Sequence, residues 1–206
     1  MYPSIDPPQG PDDGPLIVGL GGTTMPESST ERWLTIGLDA ARRSGARIVR
    51  FGGPMLAALP LYAPEDTARN DLQRLLVDTV RQADGLILAT PAYHAGISGL
   101  LKNAIDLLED LRDDVRPYLQ DRAIGCIVTA HGLQGAGATL TSVRTIVHAL
   151  RGWPTPLGVT VNTSLLPADA AGTIADRTLE QVGLLSQQVV DFARRWRAPH
   201  AVHANR

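Results

Sequence analysis

Gly85-Leu86-Ile87-Leu88-Ala89-Thr90-Pro91-Ala92-Tyr93-His94-Ala95-Gly96-Ile97-Ser98-Gly99-Leu100-Leu101-Lys102-Asn103-Ala104-Ile105-Asp106 begins as an apolar run, turns through proline, aromatic and glycine, and continues with Leu100, Leu101, Ile105 and Leu108 at helical spacing. The first part reads as a buried strand and the last as a helix. A strand–turn–helix unit of this kind belongs to an open α/β sheet, whose ligands bind in the loops at the C-terminal ends of the strands.

The alternation repeats outward from this unit. Residues 16–20, 47–51, 123–129 and 157–161 read as further strands. Residues 29–44, 65–82, 138–150 and 175–196 read as helices, and 52–64 as a long loop. Five short strands separated by helices predict an α/β three-layer sandwich, a parallel sheet with helices on both faces. Five strands suit the flavodoxin-like order 2-1-3-4-5 better than the six-stranded dinucleotide fold. One domain is expected over 15–197, between an irregular Pro- and Asp-rich arm (1–14) and a tail (198–206).

Composition narrows the classes. Of 206 residues, 44% are hydrophobic and 19% charged, which is ordinary for one soluble globular domain. A net charge of −2 gives no bulk attraction to nucleic acid or anionic membrane. Arg42-Arg43 and Arg194-Arg195 sit late in their helices and read as complements of the helix dipole. No apolar run is long enough to span a bilayer, and the N-terminus lacks a basic-then-apolar signal, so a cytoplasmic location is expected. The single cysteine, Cys126, can form no internal disulfide and reads as a small buried hydrophobe. His200 and His203 in the tail read as solvated side chains rather than metal ligands.

In the 2-1-3-4-5 order the loops after strands one, three and four converge on one crevice. Loop one, Gly21-Gly22-Thr23-Thr24-Met25-Pro26-Glu27-Ser28-Ser29-Thr30, enters a helix. Free N–H groups and hydroxyls there make a phosphate cradle. The alternative is that Ser28, Ser29 or Thr30 only caps the helix, with Glu31 in its first turn. A nucleoside-triphosphate loop is excluded because its lysine is missing, and the dinucleotide fingerprint breaks at Thr24. A phospho-acceptor receiver would need acids where Gly22 and Thr90 stand. Loop three, residues 129–137, carries Gly132, Gly135 and Gly137, which let a flat ligand approach the backbone. His131 can bond a ligand or face water, and Leu133 can cover a ring face.

With the three loops placed, the chain resembles the NADPH-dependent FMN reductase family of flavodoxin-like proteins over about residues 16–162. Thr90, Pro91, Tyr93, Leu101, Lys102, Asn103 and Asp106 match the family's T-P-x-Y-x(6)-L-K-N-x-x-D pattern, and Gly132 and Gly135 its G-x-x-G. The resemblance implies FMN held by three loops. Thr23, Met25, Ser28, Ser29 and Thr30 would lie at the phosphate. Pro91, Ala92, Tyr93 and His94 would run along the ring and ribityl chain, and His131, Gly132, Leu133 and Gly135 would border the ring. A nicotinamide, NADPH or NADH, would give hydride to flavin N5. No side chain need act as acid or base, so neither a catalytic residue nor a metal ligand is assigned. The family also implies a homodimer or homotetramer. Lys102 and Asp106 are spaced to pair on a helix, and that helix is a candidate subunit surface.

Two positions depart from the family. Family members often have arginine at Met25 and a small residue at Glu27. A missing cation and an added anion predict FMN binding weakened by about tenfold, or about 1.4 kcal/mol. That suits flavin reduced and released to a partner monooxygenase. The rivals are an FMN-retaining reductase of quinones, azo compounds or metal oxyanions, and a redox-inactive or electron-carrier protein of the same fold. Arg50, at the end of strand two, is a candidate contact for a nicotinamide 2′-phosphate. Residues 52–62 are a candidate for the nicotinamide side, and Trp153 reads as buried beneath strand five rather than as a subunit contact.

Overall fold

The computed structural model describes residues 7–164 and 173–201, with the side chains of 173–175 and 198–201 left out. The tail histidines His200 and His203 therefore lie outside the described side chains, as do Met1 to Asp6 of the arm. The strands are β1 (Leu16–Gly21), β2 (Arg47–Phe51), β3 (Gly85–Pro91), β4 (Ala123–Ala130), β5 (Trp153–Pro154) and β6 (Val159–Asn162). The helices are α1 (Ser29–Arg43), α2 (Gly53–Ala57), α3 (Asp71–Gln82), α4 (Gly99–Asp106), α5 (Leu133–Ala149) and α6 (Thr173–Ala201). A 3-10 turn, Leu107–Leu111, follows α4. All named pairings are parallel, in the order β2-β1-β3-β4, with β5 and β6 both on the outer edge of β4.

The expected order therefore stands, with one correction: the fifth position is shared by two short strands. The ladder breaks after Thr155, where the next N–H in the alternation, that of Leu157, donates to Gln188 Oε1 at 3.2 Å instead of to β4. Thr155 holds the break, its N–H donating to the Ile124 carbonyl at 3.0 Å and its hydroxyl to the Leu157 carbonyl at 2.8 Å.

Strand alternation divides the core. Leu16, Val18 and Leu20 pack with Leu86, Leu88, Ile124, Cys126 and Val128 beneath α2–α5. Ile17, Ile87, Ala89 and Ile127 pack on the other face beneath Leu34 and Leu38 of α1 and Val182, Leu185 and Val189 of α6. Burial pushes the Cys126 thiol up to about 12, so it packs as a small hydrophobe and is inert at neutral pH.

Several boundaries move for local reasons. Helix α3 begins at Asp71 rather than Glu65, because Asn70 and Gln73 form a reciprocal capping box at 2.8 and 2.9 Å. Helix α5 begins at Leu133, so Gly135 and Gly137 lie in its first turns rather than in a loop. Helix α2 folds inside the expected long loop. Trp153 is 55% exposed, which corrects its expected burial. Strand β5 is the open edge there, and the indole instead lies 6.2 Å from the Phe192 ring of α6.

The described part of the N-terminal arm is irregular but pinned. Gln9 exchanges both backbone hydrogen bonds with Ile48, at 3.1 and 2.9 Å, and so covers part of the outer edge of β2. At the N-terminal end of the sheet Arg122 is 1% exposed. Its guanidinium donates to the carbonyls of Arg81, Ala83, Tyr118 and Gln120 at 2.8–3.2 Å, two of them at the end of α3. Burial and the nearby Arg116 charge pull it down to about 10, which leaves it charged at neutral pH. Among the described residues, no helix is long and apolar enough to cross a membrane.

Candidate flavin site at the strand ends

The register aligns the C-terminal ends of the central strands: Gly21 stands beside Ala89, Pro91 beside Thr129 and Thr129 beside Val161. The loops leaving these ends are therefore neighbours, and side chains and backbone lock them together. Thr30 Oγ1 lies 2.6 Å from Thr129 Oγ1, tying the start of α1 to the end of β4. The Ala92 N–H donates to the Thr129 carbonyl at 2.8 Å, tying loop two to the same residue. A Cβ on Gly22 would stand 2.8 Å from Ser98 Oγ and 3.1 Å from Thr90 Cα, so loop one can press against loop two only as glycine. Thr90 Oγ1 accepts from the Ser98 N–H at 3.0 Å, and Ser98 Oγ caps α4 through the Leu101 N–H at 3.2 Å.

Loop one caps its helix and leaves backbone donors at the helix start. Ser28 is the N-cap of α1, accepting from the Glu31 N–H at 3.2 Å. The first-turn N–H groups of Ser29 and Thr30 have no acceptor among the described residues, which leaves a helix start able to receive an anion. The Thr30 hydroxyl is buried and turned to Thr129, and Thr23 is buried with its hydroxyl 3.3 Å from the Met25 N–H. Met25 is 66% exposed, and Glu27 is exposed in the same turn.

Loop two is a tight turn. The Gly96 N–H donates to the Tyr93 carbonyl at 2.9 Å, and both central residues are left-handed, His94 at φ 50° and Ala95 at φ 62°. That conformation costs a residue with a Cβ about 1 kcal/mol and recurs where a loop is held for ligand contact. The N–H groups of His94 and Ala95 find no acceptor among the described residues, whereas Tyr93 is bridged to Gly96. In loop three a Cβ on Gly132 or Gly135 would meet nothing within 4 Å, so the backbone there stands open. Each of the three loop regions presents one exposed large apolar side chain: Met25, Tyr93 and Leu133.

Free N–H groups at a helix start, an N–H-rich turn, an open glycine backbone and apolar side chains at one sheet edge match the parts of FMN. The phosphate needs donors, and the ring needs flat apolar contact. The residues present thus fit the cofactor.

Three features escaped the sequence reading. Glu31 is 2% exposed; its carboxylate accepts from the Gly53 N–H at 3.2 Å and from Arg50 at 3.4 Å. Burial raises its pKa above the ordinary carboxylate value, and Arg50 and the Gly53 N–H oppose that shift. Arg50 Nη1 also donates to Thr35 Oγ1 at 3.2 Å. A Cβ on Gly53 would fall 1.4 Å from the Thr23 carbonyl, so α2 docks directly on loop one.

Asn103 is the second feature. It accepts from the Tyr62 N–H at 2.8 Å and donates to the Pro60 carbonyl at 3.0 Å, clamping the long loop onto α4. Lys102 and Asp106 form an exposed ion pair at 2.7 Å, a structural role. A shallow groove of about 210 Å³ between α4 and α5, lined partly by these two residues and by Ile105 and Ile146, lies on the flank of the sheet and not among the loops. The third feature is a fourth loop. Thr163 Oγ1 lies 2.9 Å from His131 Nδ1, and Ser164 Oγ lies 3.2 Å from the His131 carbonyl. The hydroxyl pattern after β6 is the only sequence signal for it.

A family model described as NADPH-dependent FMN reductase matches residues 15–164. An FMN-dependent NADPH-azoreductase of Staphylococcus haemolyticus is 30% identical over 118 residues, 56% of this chain and 59% of that protein. A quinone reductase of Escherichia coli K12 is 38% identical over 63 residues, 29% of this chain and 34% of that protein. The matched stretches thus span less than two thirds of either relative. Among solved structures, the flavoenzyme NAD(P)H:(acceptor) oxidoreductase FerB of Paracoccus denitrificans superposes with a TM-score of 0.69 at 16% identity, covering 88% of this chain and 98% of that one, a likeness of fold.

Proposed function

Because the chain belongs to the NADPH-dependent FMN reductase family, we propose that it reduces FMN with NAD(P)H as hydride donor. The observation that carries this reading is the Thr129 junction, which brings the free N–H groups at the end of loop one and in the turn of loop two beside an open third loop. FMN supplies the chemistry of accepting a hydride and passing electrons on. The Ser29 and Thr30 N–H groups, with the Ser28 cap fixing the helix start, would hold its phosphate. The turn from Pro91 to His94 would orient the ring through backbone donors, and His131, Gly132, Leu133 and Gly135 would shield it from water. The buried Glu31–Gly53 contact, flanked by the exposed Arg50, keeps α2 against loop one and so preserves the cradle.

Met25 and Glu27 favour FMN as a substrate that is reduced and released, with a monooxygenase as receiver. The names of the relatives favour a second reading, in which FMN is retained and quinones or azo compounds are reduced. A homodimer through the α4–α5 flank is part of the proposal. A visible spectrum of the purified protein, followed by NADPH oxidation with and without added FMN, decides. A colourless protein whose activity requires free FMN supports release, and a yellow protein active on quinones supports retention. Absence of any flavin affinity removes both.

A further inference from the structure

We infer that Thr163 is a positioning residue that fixes the tautomer of His131, presenting Nε2 as a hydrogen-bond acceptor that selects a ligand with a ring N–H donor. Thr163 Oγ1 has two neighbours, His131 Nδ1 at 2.9 Å and the Ala130 carbonyl at 3.2 Å. A carbonyl can only accept, so the single hydroxyl proton satisfies that contact by pointing at Ala130. The oxygen then accepts from Nδ1–H, and in the neutral imidazole Nε2 keeps its lone pair. Nε2 has no partner among the described residues. The backbone of His131 is held too: Ser164 Oγ lies 3.2 Å from its carbonyl and 2.7 Å from Asn162 Oδ1, and the Thr163 N–H donates to the Ala130 carbonyl at 2.8 Å. The ring is therefore placed by a segment that follows β6, outside the three loops named from the sequence.

The ligand half rests on the flavin reading. The pyrimidine edge of a flavin carries one N–H, at N3, between two carbonyls. An acceptor at loop three recognises that N–H, and a flavin methylated at N3 cannot supply it.

The test has two arms. Nitrogen-15 spectra of the imidazole rings in flavin-free protein, recorded near pH 8.5 and so above the ordinary histidine pKa of about 6.5, read the tautomer directly; His131→Ala assigns the signal. The wild type and Thr163→Ser should carry the proton on Nδ1, and Thr163→Val should shift toward Nε2–H. A wild-type proton on Nε2, or a Thr163→Val spectrum like the wild type, overturns the positioning role. In the second arm FMN and N3-methyl-FMN are titrated. The wild type should bind the methylated flavin about tenfold more weakly, the scale of one lost hydrogen bond, and His131→Ala should bind both alike. Equal wild-type affinities, or the same discrimination in His131→Ala, overturn the selectivity. If neither flavin binds the wild type, the flavin reading itself has failed and the selectivity falls with it, while the tautomer result stands separately.

Discussion

Thr30 and Thr129 stand 99 positions apart, yet their hydroxyls meet at 2.6 Å in a buried contact that joins the first turn of α1 to the end of β4. Removing either hydroxyl leaves the other buried without its partner, which costs about 1–3 kcal/mol. Thr30→Val and Thr129→Val should each destabilise by that amount. The double variant should lose less than the sum, by about 1 kcal/mol in a double-mutant cycle read by urea denaturation. Strict additivity would show that the contact is not made in solution.

Glu31 sets a pH dependence. Burial raises its folded-state pKa, so the folded chain holds this proton more tightly than the unfolded one. Stability relative to Glu31→Gln should rise as pH falls from neutral through the raised value toward the ordinary carboxylate value of about 4.3, and level off below it. Urea midpoints of the two proteins across that range measure the difference. A gap that moves the other way would rule out a raised pKa.

Asn103 separates structure from apparent chemistry in the family motif. Asn103→Ala frees the Tyr62 N–H and the Pro60 carbonyl, and should cost about 1–3 kcal/mol. It should also open residues 58–70 to proteolysis. Lys102→Ala removes an exposed ion pair and should change stability by no more than about 0.5 kcal/mol, with NADPH oxidation unaffected.

At the phosphate loop, Met25→Arg with Glu27→Gly should tighten FMN binding about tenfold in a fluorescence titration, because a cation is added and an anion removed beside the helix start. Tight wild-type binding that neither change improves would refute the release reading.

Arg122 should prove essential to the fold. Its donors reach four carbonyls, and among the described residues only that of Ala83 has a second donor, from Arg116, so Arg122→Ala takes the donor from the other three and should destabilise by several kcal/mol in thermal or urea unfolding. Arg122→Lys should rescue little, since an ammonium cannot match the guanidinium fork. Near-wild-type stability of the alanine variant would contradict the buried contacts.

Much of the architecture is local and was legible before the structure. The apolar runs at β1, β3 and β4 and the helical spacing after Gly99 point to a parallel sheet, and the motif from Thr90 to Asp106 points to the loop proposed to meet a flavin. The Ser28 cap and the Lys102–Asp106 pair follow from spacing as well, because an N-cap and an i,i+4 pair lie within one or two turns of helix. Other outcomes depended on which segments meet. Glu31 reads as an ordinary first-turn acid until β2 brings Gly53 and Arg50 against it. Asn103 reads as a helix-surface residue until the loop before α3 returns to it. His131 reads from the sequence as either a ligand contact or a water-facing side chain, and only the structure shows Thr163 beside it. Trp153 reads as core until β5 turns out to be the open edge. Sequence periodicity by itself determined strands β1 to β4 and the long helices between them, which follow from contacts a few residues apart, though not the short α2 or β5. Only the tertiary structure decided which polar side chains are spent holding loops and which remain free for a ligand, because that depends on partners tens of residues away whose distance no local pattern encodes.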